Sequence, residues 1–310
     1  MARKSFFRLF SIFLAVSLML GACAGLNAAP KPQPMALSDG LGRSVSLAEP
    51  AKRVVSLAPS NTEILFAIGA GSQVVGRDEF SDYPAEAQSL PSIGGSFTNY
   101  NYEAIVDLKP DLVLAAEINT PEQVQALQDL GLTVYYLANP KDMDGLYANL
   151  VTVAKMTGHE GEAQKLVEAL KKRVSAVTEK IAKVSERPTV FYELDSTDPS
   201  APFTAGPGTF VDLLIGMAGG KNVADPSGPP WAQLSLEQII VLDPQIILLG
   251  DSAYGVTPES VGQRAGWEGV EAVKSGRVYP FDDNLVSRPG PRLVDGLEAL
   301  AKLLHPELFE

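Results

Sequence analysis

The feature that most constrains this chain is a stretch it writes twice. Residues 101–116 read NYEAIVDLKPDLVLAA, and residues 235–250 read SLEQIIVLDPQIILLG. In register, Glu103 falls on Glu237, Ile105 on Ile239, Leu108 on Leu242, Pro110 on Pro244 and Leu114 on Leu248. Each copy opens on a polar residue, Asn101 or Ser235, of the kind that caps a helix start. The proline after Lys109 or Asp243 then stops the helix, since the residue before a proline is pushed out of the helical region. An aliphatic run follows, with the length and branching of a strand buried on both faces. The copies lie too far apart to be units of a solenoid. They predict two lobes of similar build, each presenting a glutamate at an equivalent helix start.

The rest of the chain fits that plan. Residues 35–38 and 44–47 read as a hairpin, and 53–57, 74–75 and 134–137 as strands. Helices are expected over 62–68, 121–130 and 143–157, so strands alternate with helices as in an α/β lobe with a largely parallel sheet. The longest helical pattern, residues 160–184, carries apolar residues at spacings of three and four and predicts a helix of about 37 Å. Its place between the halves makes it a candidate rigid strut. Beyond it, 189–192 repeats the opening strand and ILFAIGAGSQVV (64–75) is echoed by LLIGMAGGKNVA (213–224). A helix over 262–274 around Trp267, a strand over 278–281 and a helix over 292–304 complete the second half. The expected division is a signal peptide over 1–22, a tether over 23–34, an N-terminal lobe over 35–158, a connecting helix over 159–186 and a C-terminal lobe over 187–310.

At 310 residues the chain is long enough for two cores. Its 25 basic against 37 acidic residues, a net charge of −12, argue against nucleic acid as the main partner. Arg3, Lys4 and Arg8 precede an apolar run over 9–20 closed by small residues, which describes a secretory signal. Loss of those three charges leaves 22 basic against 37 acidic residues, a net −15 for the exported protein. The single cysteine, Cys23, ends Leu20-Gly21-Ala22-Cys23, a tetrapeptide that resembles the bacterial lipobox. The plainer alternative is a stray cysteine in an ordinary signal. One cysteine excludes an internal disulfide and a multi-cysteine metal site. The mature protein is expected to be exported, monomeric, and tied to a membrane by lipid on Cys23.

Five tracts carry a family resemblance over nearly the whole mature chain. They are RVVSLAPSNTEILFAIGAG, SDYPAEAQSLPSIGG, the two glutamate units, and PFTAGPGTFVDLLIGMAGGKNV. Together they resemble substrate-binding lipoproteins of ABC importers, in the class that handles cobalamin, ferric siderophores and heme. Ser81-Asp82-Tyr83-Pro84 and the tract PWAQLS (230–235) look most like cobalamin binders. The resemblance implies two similar α/β lobes with largely parallel sheets, joined by a single long rigid helix, with a ligand cleft between them. It implies that Glu103 and Glu237 pair with arginines on a two-fold permease dimer. It also places Pro59, Phe80, Phe97, Phe203, Trp231 and Arg288 at pocket positions. Aromatic faces and a guanidinium suit a large planar ligand with polar edges. Phe97 stands where cobalamin binders usually have tryptophan, and Asn284-Leu285 replaces an acidic and aromatic pair, so a corrinoid is the first expectation and a ferric siderophore or heme the alternative.

Each assignment has a plainer competitor. A glutamate in a helix's first turn is favoured by the helix dipole by about 0.3–1 kcal/mol with no partner at all. Phe203 and Trp231 would equally anchor proline-flanked loops, and Arg288 would equally neutralise Asp282 or Asp283. His159 and His305 read as solvated surface residues, which leaves no resident metal site. Tyr83, Tyr100, Tyr192 or another tyrosine is open to a heme iron. A tetrapyrrole chelatase with Glu103 and Glu237 as an acid–base pair is the enzymatic alternative, and it lacks a cleft histidine, a nucleophile elbow and a phosphate loop.

Overall fold

The computed structural model describes residues 34–95, 99–224 and 226–309. Cys23, the leader and Phe97 lie outside the described residues. The first elements are the antiparallel strands β1 (Met35–Ser38) and β2 (Ser44–Leu47), a hairpin as expected. Asp39 holds its turn by accepting the amide N–H of Leu41 and of Arg43 and pairing with the Arg43 guanidinium.

The first lobe continues through β3 (Val54–Ser56), α1 (Pro59–Ala67), β4 (Val74–Arg77) and α2 (Tyr102–Asp107). It ends with β5 (Leu112–Ala116), α3 (Pro121–Asp129), β6 (Val134–Leu137) and α4 (Met143–Thr157). Helix α1 starts at Pro59 rather than residue 62, because proline's fixed φ suits the first helical position. The four sheet strands are parallel, in the order β4-β3-β5-β6. All five residues of β5 are buried, with Leu112 and Leu114 in one core and Val113 and Ala115 in another. That alternation fits a strand covered by helices on both faces.

Helix α5 (Glu160–Ile181) follows after Gly158, whose φ of +78° ends α4 in the left-handed region that glycine reaches without steric cost. Its 22 residues span about 33 Å, a little short of the expected end at 184. Ala163, Leu170 and Val177 recur at seven-residue intervals on its buried face, followed by Ile181. That face packs on α4 and on the last helix of the chain. One continuous apolar cluster therefore runs from Leu65 and Leu150 through Leu170 and Val177 to Ile215 and Leu297.

The second lobe begins with β7 (Thr189–Glu193), β8 (Phe203–Ala205), α6 (Phe210–Met217), β9 (Lys221–Asn222) and β10 (Trp231–Gln233). It goes on through α7 (Leu236–Leu242), β11 (Ile246–Leu249), α8 (Pro258–Gly262) and α9 (Glu271–Lys274). It closes with β12 (Val278–Pro280), α10 (Asn284–Ser287) and α11 (Leu293–Leu304). Its sheet is parallel in the order β9-β7-β11-β12. Counted within each four-stranded sheet, both run second, first, third, fourth, so the sequence repeat is a repeat of topology. The repeated helices α2 and α7 cover the outer face of their sheets through fully buried Ile105 and nearly buried Ile239.

The expected helix over 262–274 is broken. Gly266, at φ +87°, lies where an added Cβ would meet Leu236 Cδ2 at 2.8 Å, and Val270 is extended. The segment resolves into α8, a 3-10 turn at Trp267–Gly269, and α9. Close approach of the backbone to α7 overrides the helical pattern.

Candidate functional site

The loops that leave the strand ends of the two lobes face one another. In the first lobe, α1 opens at half-buried Pro59, directly after β3. The loop after β4 is fixed by a buried polar chain. The Thr62 hydroxyl donates to Ser56 Oγ at 2.8 Å and lies 2.7 Å from Ser81 Oγ, which bonds Asp78. Asp78 also accepts the Phe80 amide at 3.0 Å. Burial pushes the Asp78 carboxyl up, against the pull of Ser81 and that amide. The loop so held presents Phe80, Asp82 and Tyr83, with Phe80 and Tyr83 more than 40% exposed.

From the second lobe comes a two-stranded ribbon that the sequence reading missed. Strands β8 and β10 pair antiparallel, Trp231 opposite Ala205 and Gln233 opposite Phe203. That register sets Phe203 and Trp231 on one face as diagonal neighbours, while Thr204 is buried on the other. Both aromatics are exposed, at 41% and 54%. They are ribbon residues rather than loop anchors. A cavity of about 310 Å³ lies between the lobes, lined by Glu117, Asn139 and Lys141 of the first and by Thr209, Trp231 and Ser287 of the second. Larger hollows lie elsewhere, among them one of about 570 Å³ beside Val256 and Phe281 in the second lobe. Another of about 640 Å³ sits beside Arg187, Arg277 and His305, and one of about 710 Å³ runs along α7 and β9. None of these is enclosed by residues of both lobes, so size alone does not mark the cleft.

Arg288 does not pair with Asp282 or Asp283, the partners expected as its plainer role. It crosses to the first lobe, where Nη1 donates to Asp82 Oδ1 at 2.5 Å and to Glu63 Oε1 at 3.4 Å, and Nη2 donates to Phe80 O at 3.3 Å. Arg292 joins the same junction, donating from Nε and Nη2 to both oxygens of Glu63 at 2.9 and 2.5 Å. Its guanidinium lies 4.1 Å from the centroid of the Tyr83 ring, a cation–π distance. Glu63 is 1% exposed, so the two arginines supply the charge a buried carboxylate requires. Burial works to raise the Asp82 carboxyl, yet the hydrogen bond and charge of Arg288, with Arg292 behind, hold it below its ordinary value. Glu63 and Arg292 went unrecognised in the sequence, and Asp82 entered only as part of the tract Ser81-Asp82-Tyr83-Pro84. The available signal was an acid at the centre of α1, whose residues from Ser60 to Leu65 are all buried.

Glu103 and Glu237 occupy the second position of α2 and α7 and are exposed. Asn101 accepts from the Ala104 amide at 3.0 Å, and Ser235 forms a reciprocal box with Gln238. Both helices end on a left-handed residue that is not glycine, Lys109 at φ +47° and Asp243 at φ +41°, each just before its proline. Hydrogen bonds from its own amide and the Ser235 hydroxyl hold the Glu237 carboxyl below its usual value. Neither glutamate lines the interlobe cavity.

His305 is buried, not solvated. Its Nε2 lies 3.1 Å from Gly219 O beneath α11, and only a weak contact to Glu307 leads outward. His159 is half-buried at the start of α5, its Nδ1 2.9 Å from Thr157 O. Two of the tyrosines considered for a heme iron are enclosed. Tyr100 donates to Leu57 O at 2.8 Å, and Tyr192 donates to Asp283 at 2.6 Å with its hydroxyl pushed well up, chiefly by burial. Tyr83 alone of the three stands exposed.

A profile described as periplasmic binding protein matches residues 54–285. The chain belongs to the periplasmic binding protein family. Among relatives of this binding protein, the ABC transporter substrate-binding lipoprotein YvrC of Bacillus subtilis, itself described as uncharacterized, is 35% identical over 283 residues. That match spans 89% of this chain and 87% of that one. The vitamin B12-binding protein of Vibrio cholerae is 30% identical over 256 residues, 82% of this chain and 90% of that one. Among solved structures, the periplasmic heme-binding protein RhuT from Roseiflexus superposes with a TM-score of 0.74 at 28% identity. It covers 83% of this chain and 99% of its own. These relatives are named as binding proteins, and the chelatase reading finds no support among them. The two-lobe α/β architecture is that of the family.

Proposed function

We propose that this periplasmic binding protein captures a metal-chelate nutrient, a corrinoid such as cobalamin, in the interlobe cleft and delivers it to an ABC permease dimer. The observation that carries the reading is Trp231 in the wall of the interlobe cavity, with exposed Phe203 on the same ribbon face and Arg288 reaching across to Phe80 O of the first lobe. Exposed aromatic faces supply contact area for a planar macrocycle at little entropic cost. The B12-binding relative supports the corrinoid. Heme or a ferric siderophore is the second reading, favoured by the heme-binding neighbour and by exposed Tyr83. On this reading lipid on Cys23 holds the chain at the extracytoplasmic face of a membrane, as the name of the lipoprotein relative supports. Glu103 and Glu237, one per lobe on equivalent helices, meet the two halves of the permease. The protein acts as a monomer.

Calorimetric titration with cyanocobalamin, hemin and a set of ferric siderophores tests the ligand. Cyanocobalamin should bind at micromolar concentration or better. Trp231→Ala should weaken that binding by about 2 kcal/mol, roughly thirtyfold. Binding of hemin or a siderophore with none of the corrinoid would overturn the corrinoid reading.

A further inference from the structure

The two guanidinium groups at the lobe junction are already matched. Arg288 and Arg292 meet Glu63 and Asp82 there. A guanidinium has five N–H donors. Two contacts from Nη1 and one from Nη2 of Arg288 go to Glu63, Asp82 and Phe80 O, which leaves Nε–H and one Nη2–H for another acceptor. Arg288 can therefore still donate to a ligand, but its charge is spoken for. An amide carbonyl needs only the donor. A carboxylate also needs a counter-charge to offset its loss of hydration, and here it would meet Asp82 beside the arginine. The four charges are not alike in exposure. Glu63 is sealed at 1%, whereas Asp82 is 54% exposed, so Asp82 stands at the solvent edge where a ligand's periphery arrives.

We propose that Asp82 is a specificity-determining residue: by neutralising Arg288 at the edge of the cleft, it selects metal chelates with an uncharged amide periphery over those with a carboxylate periphery. The inference rests on the cleft being the chelate site. It adds the charge class of the ligand and assigns that choice to a residue of the first lobe. Negative residues near the junction act in the same direction, since Asp282 and Asp283 flank α10 just before Arg288. Like charges placed against the wrong ligand are a common way to build selectivity.

The test uses two corrinoids that share one ring. Dicyanocobinamide carries amides, and dicyanocobyrinic acid carries carboxylates at the corresponding positions. Dissociation constants for both are measured by calorimetry on the mature wild type and on Asp82→Asn, with thermal unfolding to show that the variant is folded. The wild type should prefer cobinamide by about tenfold or more, and Asp82→Asn should cut that preference to about threefold or less, chiefly by tightening cobyrinic acid. Raising the salt should narrow the wild-type preference, because screening mutes charge repulsion. A preference that Asp82→Asn leaves unchanged, or a wild type indifferent to the two, overturns the proposal. If neither corrinoid binds, the corrinoid reading fails by itself, and the neutral amide-bearing ferrichrome against ferric dicitrate becomes the deciding pair. The variant must then move the preference toward the anionic citrate complex. Absence of that shift, or of binding by any of these chelates, contradicts the selectivity.

Discussion

Arg264 shows how much one residue carries at the strand ends of the second lobe. Its Nη1 and Nη2 donate to the two oxygens of Glu193 at 2.6 and 2.8 Å, and Nη2 also reaches Ser196 Oγ at 2.8 Å. The guanidinium stacks 4.9 Å from the ring centroid of Trp267. Glu193 is fully buried, and burial raises its carboxyl despite the arginine. Arg264→Ala should cost about 3–5 kcal/mol of unfolding free energy, because it strands a buried charge. A raised carboxyl stabilises the fold below its unfolded value of 4.5 and loses that benefit as pH rises through the folded value. Denaturant titration should thus show a smaller deficit at pH 4 than at pH 7. Asp82 has the opposite sign. Its folded value is depressed, so its contribution is present above 3.8 and is lost as pH falls through the folded value. The stability gap between wild type and Asp82→Asn, within about 1 kcal/mol for so exposed a pair, should close on acidification. A gap that widens in acid would refute that assignment.

At the scale of elements, the repeated unit was legible because its signals are local. A cap, a terminating proline and an aliphatic run gave α2–β5 and α7–β11 near their observed bounds. The prolines account for the helix ends but not for the left-handed backbone of Lys109 and Asp243, since a proline steers its predecessor toward extended backbone. Ser235→Ala should remove the capping box and cost about 1 kcal/mol, seen as a lower Tm, with ligand affinity unchanged. The misses were non-local. The β8–β10 ribbon pairs segments separated by α6 and β9, and no periodicity over three residues announces it. The helix over 262–274 failed where Gly266 lies against Leu236, a contact set by the fold rather than by neighbouring residues. His305 looked like a surface residue near a proline, but α11 and the turn at Gly219 enclose it.

At the scale of the whole molecule, two sheets of one topology are joined by α5 and by a core that runs through it. The lobes meet again at the junction of Glu63 and Asp82 with Arg288 and Arg292, so the molecule is closed at both the strut and the cleft edge. The sequence named Arg288 but not its pairing with Glu63 and Asp82, which lie across the lobe boundary in segments no local pattern connects. The pairing of Glu103 with Glu237 needed only the repeat. Both emerge exposed on capped outer helices, away from the interlobe cavity. On the proposed function, that geometry would make ligand capture and permease docking separable. The most direct measurement is uptake of the bound chelate by proteoliposomes carrying the cognate permease, with wild type and with Glu103→Arg/Glu237→Arg. The double variant should bind ligand within about twofold of wild type and deliver none, through like-charge repulsion at both permease halves. Uptake by the variant at the wild-type rate would contradict the account and leave the two glutamates as helix-start residues only.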